Sequence, residues 1–230
     1  MRLAQREFSL YGASHWAVLA VFVAGAIAVS YLGRWQDAGS ARRFSRVLAV
    51  PVLGIQIAIQ VYSMTEFGVD HGLPLQLSDL AAFVTAYALW THRHWAFSLT
   101  YYWGLTLSTQ ALISPALRGA DFPSLSYLAF WLIHLLVIWA ALYLAVGRRM
   151  RPTWHGYRFT LVVTFSWVGF TMAFNAVAGT NYGFLNAKPG VPSVLDVLGP
   201  WPWYLVPLAA LVTGIWALMT LPGVLRRQRS

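Results

Sequence analysis

The stretch Phe122–Gly147, FPSLSYLAFWLIHLLVIWAALYLAVG, contains one histidine, His134, and no lysine, arginine or carboxylate. A helix needs about 20 apolar residues to cross the hydrocarbon core of a bilayer, and this stretch is long enough. Arg148, Arg149 and Arg151 follow it. Because arginines gather just beyond the ends of membrane-spanning helices, the stretch predicts a span with a charged anchor at its C-terminal end.

Six other apolar stretches of comparable length occur along the chain, and the connections between them are too short for a soluble domain. We therefore expect one domain, residues 1–230, folded as an all-α polytopic membrane helix bundle with seven transmembrane helices. The seven predicted spans are 12–33, 46–66, 74–91, 95–116, 122–147, 157–178 and 200–224.

The composition agrees with a membrane protein. Of the 230 residues, 58% are hydrophobic and only 10% are charged, whereas a soluble domain carries about 25% charged residues. The chain has no cysteine, which excludes disulfides, thiol nucleophiles and thiolate metal sites. The net charge of +9 does not indicate nucleic-acid binding, because the basic residues cluster at the ends of apolar runs. We expect neither a cofactor nor a metal.

The distribution of basic residues predicts the orientation in the membrane. The connections that follow spans one, three and five, together with the C-terminal tail, hold most of the 16 basic residues. The opposite side holds Arg2, Arg6, Arg118 and Lys188. Because cytoplasmic connections are enriched in Lys and Arg, we predict a multi-pass protein of the cell membrane with its N-terminus outside and its C-terminus in the cytoplasm.

The last outer connection, Asn181–Tyr204, is rich in proline and glycine and ends in Trp201, Trp203 and Tyr204. Aromatic residues of this kind are typical of the membrane interface. One interpretation is a surface loop with an interfacial anchor. The other is an ordered cap over the outer end of the bundle, because its prolines reduce the entropy lost on ordering.

Ionisable groups are costly inside a span and usually face the protein interior, and Asp79 and His134 are clearly inside. From the helical rise, Gln60, Asp79 and Gln110 lie about 8–10 Å below the outer ends of their spans, and His134 lies about 16 Å deep. We predict that they converge on an outward-facing cavity. The alternative is that the uncharged groups only bond neighbouring helices. The expected substrate-binding residues are Asp79, Gln76, Gln60, Gln110, Tyr127 and Asn175.

Three segments resemble a known family: LPLQLSDL at Leu73–Leu80, FWLIH at Phe130–His134, and LGPWPWY at Leu198–Tyr204. Together they resemble the YwaF-like family of bacterial seven-span integral membrane proteins, and the likeness covers most of the chain. That family is distantly similar to a mammalian transmembrane acyltransferase that remodels ether phospholipids. It is also similar in outline to the androgen-induced membrane hydrolases.

The resemblance implies an intramembrane histidine at His134 that acts with a small nucleophile. The acyltransferase's cysteine would fall near Leu75. Gln76 stands where YwaF-like members commonly have histidine. Ser78 is the nearest hydroxyl, although it does not occupy the matching position.

Two functions from different classes remain open. In the first, the protein is a lipid acyltransferase or ester hydrolase, with His134 as general base and Ser78 as the nucleophile that it activates. In the second, it is a non-enzymatic protein that binds or transports a lipid or small molecule, with Asp79 and His134 as recognition groups. Both functions make membrane lipids the expected partners.

Overall fold

The computed structural model describes residues 7–115, 117, 119–190 and 194–227. Seven long helices account for most of these residues, and no strand forms within the described ranges, where Glu7 and Ala120 make an isolated bridge. The all-helical prediction is therefore confirmed. The helices are α1 (Ala13–Trp35), α2 (Ala38–Phe67), α3 (Leu77–Thr91), α4 (His94–Leu99, Thr100–Gly104 and Leu105–Ile113 in succession), α5 (Leu125–Leu142 continued by Tyr143–Gly147), α6 (Trp154–Ala178) and α7 (Leu205–Arg227).

Five of these helices, α1, α2, α5, α6 and α7, are long and apolar enough to cross a membrane. The helix α3 has 15 residues, which cover about 22 Å along the axis and fall short of a hydrocarbon core of about 30 Å. The helix α4 passes through a π turn at Thr100–Gly104. Among the described residues, the protein is thus a helical membrane protein with five candidate spans and two further helices.

The helix α2 begins at Ala38, eight residues before the predicted span at 46. The cause is an N-cap at Asp37, whose carboxylate accepts hydrogen bonds from the backbone N–H groups of Gly39 (2.7 Å) and Ser40 (2.9 Å). These bonds, with one from the Ser40 hydroxyl, hold the pKa of Asp37 below its usual range. The extended start places Arg42, Arg43 and Arg46 on the first turns of α2.

Other helix starts also differ from the predicted spans because local capping decides them. The helix α5 starts at Leu125 and not at 122, since the Ser124 hydroxyl accepts a hydrogen bond from the Tyr127 N–H at 3.2 Å. The helix α6 starts at Trp154 and not at 157, since the Thr153 hydroxyl caps the Gly156 N–H at 3.1 Å. Single-sequence hydropathy does not register such caps.

The helix α5 lies at the centre of the bundle. Half of its most apolar window is buried within the protein, against 11–17% for the other four candidate spans. It packs against α1, α2, α3 and α4, whereas α6 packs on α4 and α7. The stretch with the strongest apolar signal is therefore the one that organises the fold.

Glycines allow α1 to approach α5 closely. A Cβ added at Gly33 would lie 2.6 Å from the Cα of Gly147, and one added at Gly25 would lie 2.2 Å from the Trp139 ring. The Trp139 indole N–H donates to the Phe22 carbonyl at 3.0 Å. Small residues let membrane helices pack at short range, so this α1–α5 seam depends on residues without side chains.

Candidate functional site

His134 lies in the middle of α5 and is half-buried. Its Nδ1 is 2.6 Å from the carbonyl oxygen of Phe130, one turn earlier. Because a carbonyl can only accept, Nδ1 carries the proton, and in the neutral ring Nε2 then presents a lone pair. No residue in the described ranges bonds Nε2. The ring therefore has one nitrogen fixed by the helix and one nitrogen available for chemistry.

His15 in α1 provides the contrast. It is fully buried, its Nδ1 accepts from the Tyr11 N–H at 3.0 Å, and its Nε2 donates to the Leu112 carbonyl at 2.9 Å. Both ring nitrogens are thus used in joining α1 to the end of α4. A histidine with two internal partners is a structural crosslink, which distinguishes His15 from His134.

Three predicted site residues share no hydrogen bond with His134. Ser78 is exposed in the first turn of α3 and has no hydrogen-bond partner among the described residues. Gln110 is likewise exposed in α4, also without a described partner. Tyr127 is buried two turns before His134 on the same face of α5, but its hydroxyl donates to the Ser14 carbonyl at 3.0 Å. Tyr127 therefore serves the α1–α5 contact.

The carboxyl group of Asp79 has a polar partner on the neighbouring helix. The Gln56 amide, buried in α2, donates to Asp79 Oδ1 at 3.2 Å. Asp79 sits in the first turn of α3, where a carboxylate also interacts favourably with the helix N-terminus. The sequence places Gln56 on the polar face of the second span, but it does not reveal this pairing.

Two other predicted polar residues bond backbone groups of the connections at this end. The Gln60 amide donates to the Gly72 carbonyl, and the Gln76 side-chain oxygen accepts from the Gly183 N–H at 2.9 Å. Gln60 thus holds the α2–α3 connection against its own helix. Gln76 ties the same connection to the one between α6 and α7.

Asn175 uses its whole side-chain amide to shape the α6–α7 connection. Its oxygen accepts from the Thr180 hydroxyl and the Tyr182 N–H, both at 2.8 Å. Its nitrogen donates to the Tyr182 carbonyl at 3.0 Å and to the Asn186 side chain at 2.9 Å. This buried amide is fully occupied within the protein, so its role in this structure is to hold the connection.

The α6–α7 connection docks on the helix ends rather than extending away from them. The buried Tyr182 accepts at its hydroxyl from the Leu73 N–H (2.9 Å) and donates to the Val69 carbonyl (2.6 Å). The Trp201 indole donates to the Leu185 carbonyl at 2.9 Å, and Leu185 is buried. This agrees with the predicted cap. Val197 instead points outward, and residues 191–193 lie outside the described ranges.

Gly183 permits the closest approach within this cap. Its φ of +68° is one that residues with a Cβ rarely adopt, and an added Cβ would lie 2.5 Å from the Trp167 ring. The Trp167 indole in turn donates to the Leu75 carbonyl at 3.0 Å. The two connections therefore form one hydrogen-bonded unit, called here the polar cap, comprising residues 69–76 and 180–187.

The predicted site residues thus fall into separate groups. Gln76 lies in the polar cap, Gln60 and Asn175 bond to it from α2 and α6, and Asp79 pairs with Gln56. No hydrogen bond links this group to His134 within the described ranges. Among the residues that the structure describes, no cluster of three or more His, Asp or Glu side chains could hold a metal ion.

A polar cluster that the sequence did not indicate lies at the opposite, arginine-rich end. The Ser45 hydroxyl lies 2.7 Å from His92 Nε2, and the nearby Tyr143 hydroxyl donates to the Gln36 side chain at 2.7 Å. Ser45 is completely buried, so no acyl carbonyl can reach it in this structure. The cluster closes the ends of α2, α3 and α5. Ser45 and His92 are 47 positions apart, so no local sequence pattern predicts their contact.

Comparison with known proteins gives a family match. No curated protein and no solved structure matches the chain. The profile of the TMEM164 family matches residues 10–220, a range that includes His134, the polar cap, four of the five candidate spans and most of the fifth. The match covers most of the chain, and the chain therefore belongs to the TMEM164 family.

Proposed function

We propose that the protein is a seven-span enzyme of the cell membrane that transfers or hydrolyses acyl groups of lipids, with His134 as general base. The observation that carries this proposal is the free Nε2 of a half-buried imidazole whose Nδ1 is bonded to Phe130. Ionisable side chains within spans usually have a function. The resemblance to YwaF-like proteins supports the same chemistry.

The reaction requires an alcohol or water as acyl acceptor. As the acceptor oxygen attacks the carbonyl carbon of a lipid ester, His134 Nε2 takes its proton, and a tetrahedral intermediate forms. The C–O bond to the first alcohol then breaks, and His134 returns the proton to the departing oxygen. The products are the released alcohol and either a new ester or a fatty acid.

The acceptor can be a lipid hydroxyl or a protein hydroxyl in a two-step route. For the second route Ser78 remains our predicted nucleophile, because the chain has no cysteine. Ser78 stands at the start of α3, whereas His134 stands more than two turns into α5. Direct transfer to the lipid hydroxyl avoids this difference in depth, and we favour that route.

Acyl transfer can be measured with purified protein in nanodiscs that contain phosphatidylethanolamine with an isotope-labelled acyl chain and an unlabelled lysophospholipid. Loss of a general base typically lowers rates about 10²–10⁴-fold. We therefore expect His134→Gln to lower the rates of labelled acyl-chain transfer and of fatty-acid release at least 100-fold. Its thermal unfolding midpoint should stay near the wild-type value.

The matched controls are His155→Gln, a change at an exposed histidine at the start of α6, and Ser78→Ala. His155→Gln should retain the wild-type rate. A Ser78→Ala variant with full turnover supports direct transfer, whereas an inactive one assigns the nucleophile to Ser78. If His134→Gln folds and turns over lipid as fast as wild type, His134 is not the base.

Binding without chemistry is the second candidate, and the Gln56–Asp79 contact favours it. A carboxyl group beside a buried amide could recognise a polar lipid headgroup or a small molecule. Under this alternative, wild-type protein in the same nanodiscs would bind lipid but leave every acyl chain in place. Asp79→Asn would then weaken binding more than His134→Gln.

A further inference from the structure

An apolar groove runs between α2 and α3 in the half of the bundle near the arginine-rich end. It has a volume of about 330 Å³, within the size range of sites for small molecules. Its walls are Ala49, Val50 and Leu53 on α2 and Phe83, Tyr87 and Trp90 on α3. Val50 and Trp90 are 62% and 53% exposed, so the groove opens on the surface of the bundle, and His134 is not among the residues that line it.

A cation stands at one end of this groove. The Arg46 guanidinium carbon lies 5.3 Å from the centroid of the Trp90 ring, in a cation–π contact. Arg46 precedes Val50 by one helical turn, so the charge lies where the apolar wall ends. Arg42 and Arg43 lie one turn before Arg46 in α2 and are also exposed.

These arginines have no acidic partners among the described residues. The ion pair found there joins Lys188 and Asp196, between α6 and α7. The nearest carboxylate in sequence, Asp37, accepts hydrogen bonds from Gly39 and Ser40 as the cap of α2. The positive charges of Arg46 and its neighbours are thus available to an anionic ligand.

We propose that this groove binds an anionic phospholipid from the leaflet at the arginine-rich end. One acyl chain lies along the apolar wall, and the phosphate contacts Arg46. Basic sites at the ends of membrane helices attract anionic headgroups, and each Lys or Arg near the surface contributes about 1 kcal/mol. The apolar wall accepts the chain of any lipid, whereas the arginine favours lipids with a net negative charge.

Native mass spectrometry of detergent-purified protein tests the proposal by titration with phosphatidylglycerol and with phosphatidylcholine of identical chains. We expect wild type to bind phosphatidylglycerol at least fivefold more tightly than phosphatidylcholine. Arg46→Gln should weaken phosphatidylglycerol binding about fivefold, the factor that corresponds to one cation. Arg151→Gln removes an exposed arginine from another connection and is the matched control, expected to leave binding unchanged.

A second variant tests the groove itself. Val50→Trp fills it from an exposed position on α2 and should weaken binding of both lipids without lowering the unfolding midpoint. Three results would each overturn the proposal: equal affinity for the two lipids, equal loss in Arg46→Gln and Arg151→Gln, or unchanged lipid binding in Val50→Trp. If Val50→Trp abolishes a dimer while lipid binding persists, the groove binds a second copy of the chain instead.

Discussion

At the scale of single residues, His92 shows how the arginine-rich end responds to protons. Burial holds its pKa below the usual range, and the positive charges of Arg148 and Arg42 lower it further. The contact between His92 Nε2 and the buried Ser45 hydroxyl is therefore made by a neutral ring near pH 7. Protonation of His92 adds a third positive charge beside those of Arg148 and Arg42.

Because the pKa of His92 is lower in the folded protein than in the unfolded chain, the stability of the fold depends on pH. The unfolded chain, with an ordinary histidine pKa near 6.5, takes up protons at a pH where folded His92 does not. The stabilisation is therefore complete above that value and is lost as the pH falls toward the lowered pKa. We expect the thermal unfolding midpoint to fall between pH 7.5 and pH 5 by more in wild type than in His92→Gln. Parallel curves for the two proteins would show that His92 contributes nothing.

At the scale of elements, the contact between α1 and α5 depends on glycine. Gly33 and Gly147 meet with almost no space between their backbones. The Arg148 guanidinium donates to the Gly33 carbonyl at 2.9 Å and to the Gln36 carbonyl at 3.1 Å, just beyond that contact. A side chain at Gly33 would force the two helices apart and break these bonds.

We therefore expect Gly33→Val to destabilise the protein by about 1–3 kcal/mol, the usual cost of overpacking. In a detergent melt this corresponds to a drop of roughly 2–12 °C. The matched control is Gly54→Val in α2, where an added Cβ meets nothing within 4 Å. Its midpoint should stay within about 2 °C of wild type. Similar drops for both variants would mean that valine itself, and not the α1–α5 seam, causes the loss.

Element positions could be predicted from the sequence far better than the partners of polar residues. Hydropathy located the seven described helices, five of which are candidate spans, because apolar length is a local property of the chain. It missed the π turns, and it missed the cap that starts α2 at Ala38. The sequence also did not reveal that Gln76 bonds the Gly183 N–H and that Asn175 bonds the Tyr182 backbone, whereas their predicted substrate binding stays a prediction. Those partners depend on how distant helices pack, which one sequence does not show.

At the scale of the whole molecule, the two ends of the bundle differ in charge and in construction. One end carries the arginines of three connections and the Ser45–His92 contact. The other carries the polar cap, in which backbone groups of two connections are bonded by side chains of α2 and α6 and by Gln76, the residue before α3. The asymmetry of charge predicts that the arginine-rich end faces the cytoplasm.

Single cysteines test this orientation cleanly, because the chain has none of its own. Ala38→Cys and His155→Cys lie at exposed positions of the arginine-rich end, and Ala187→Cys lies at an exposed position of the other. In intact cells, an impermeant maleimide should label only Ala187→Cys, and permeabilised cells should show labelling of all three. Labelling of the first two but not the third would reverse the predicted topology.

The bonds of the polar cap join residues that are translated at different times. Gln60 and its partner Gly72 are 12 residues apart in the chain, whereas Gln76 and Gly183 are separated by 107 residues. At about 5–20 residues per second, Gln76 waits roughly 5–20 s for that partner to be translated. During this interval α3 can already pack on α2, where the Gln56 amide bonds the Asp79 carboxylate. The polar cap is therefore completed only after α6 and the connection that follows it have been translated.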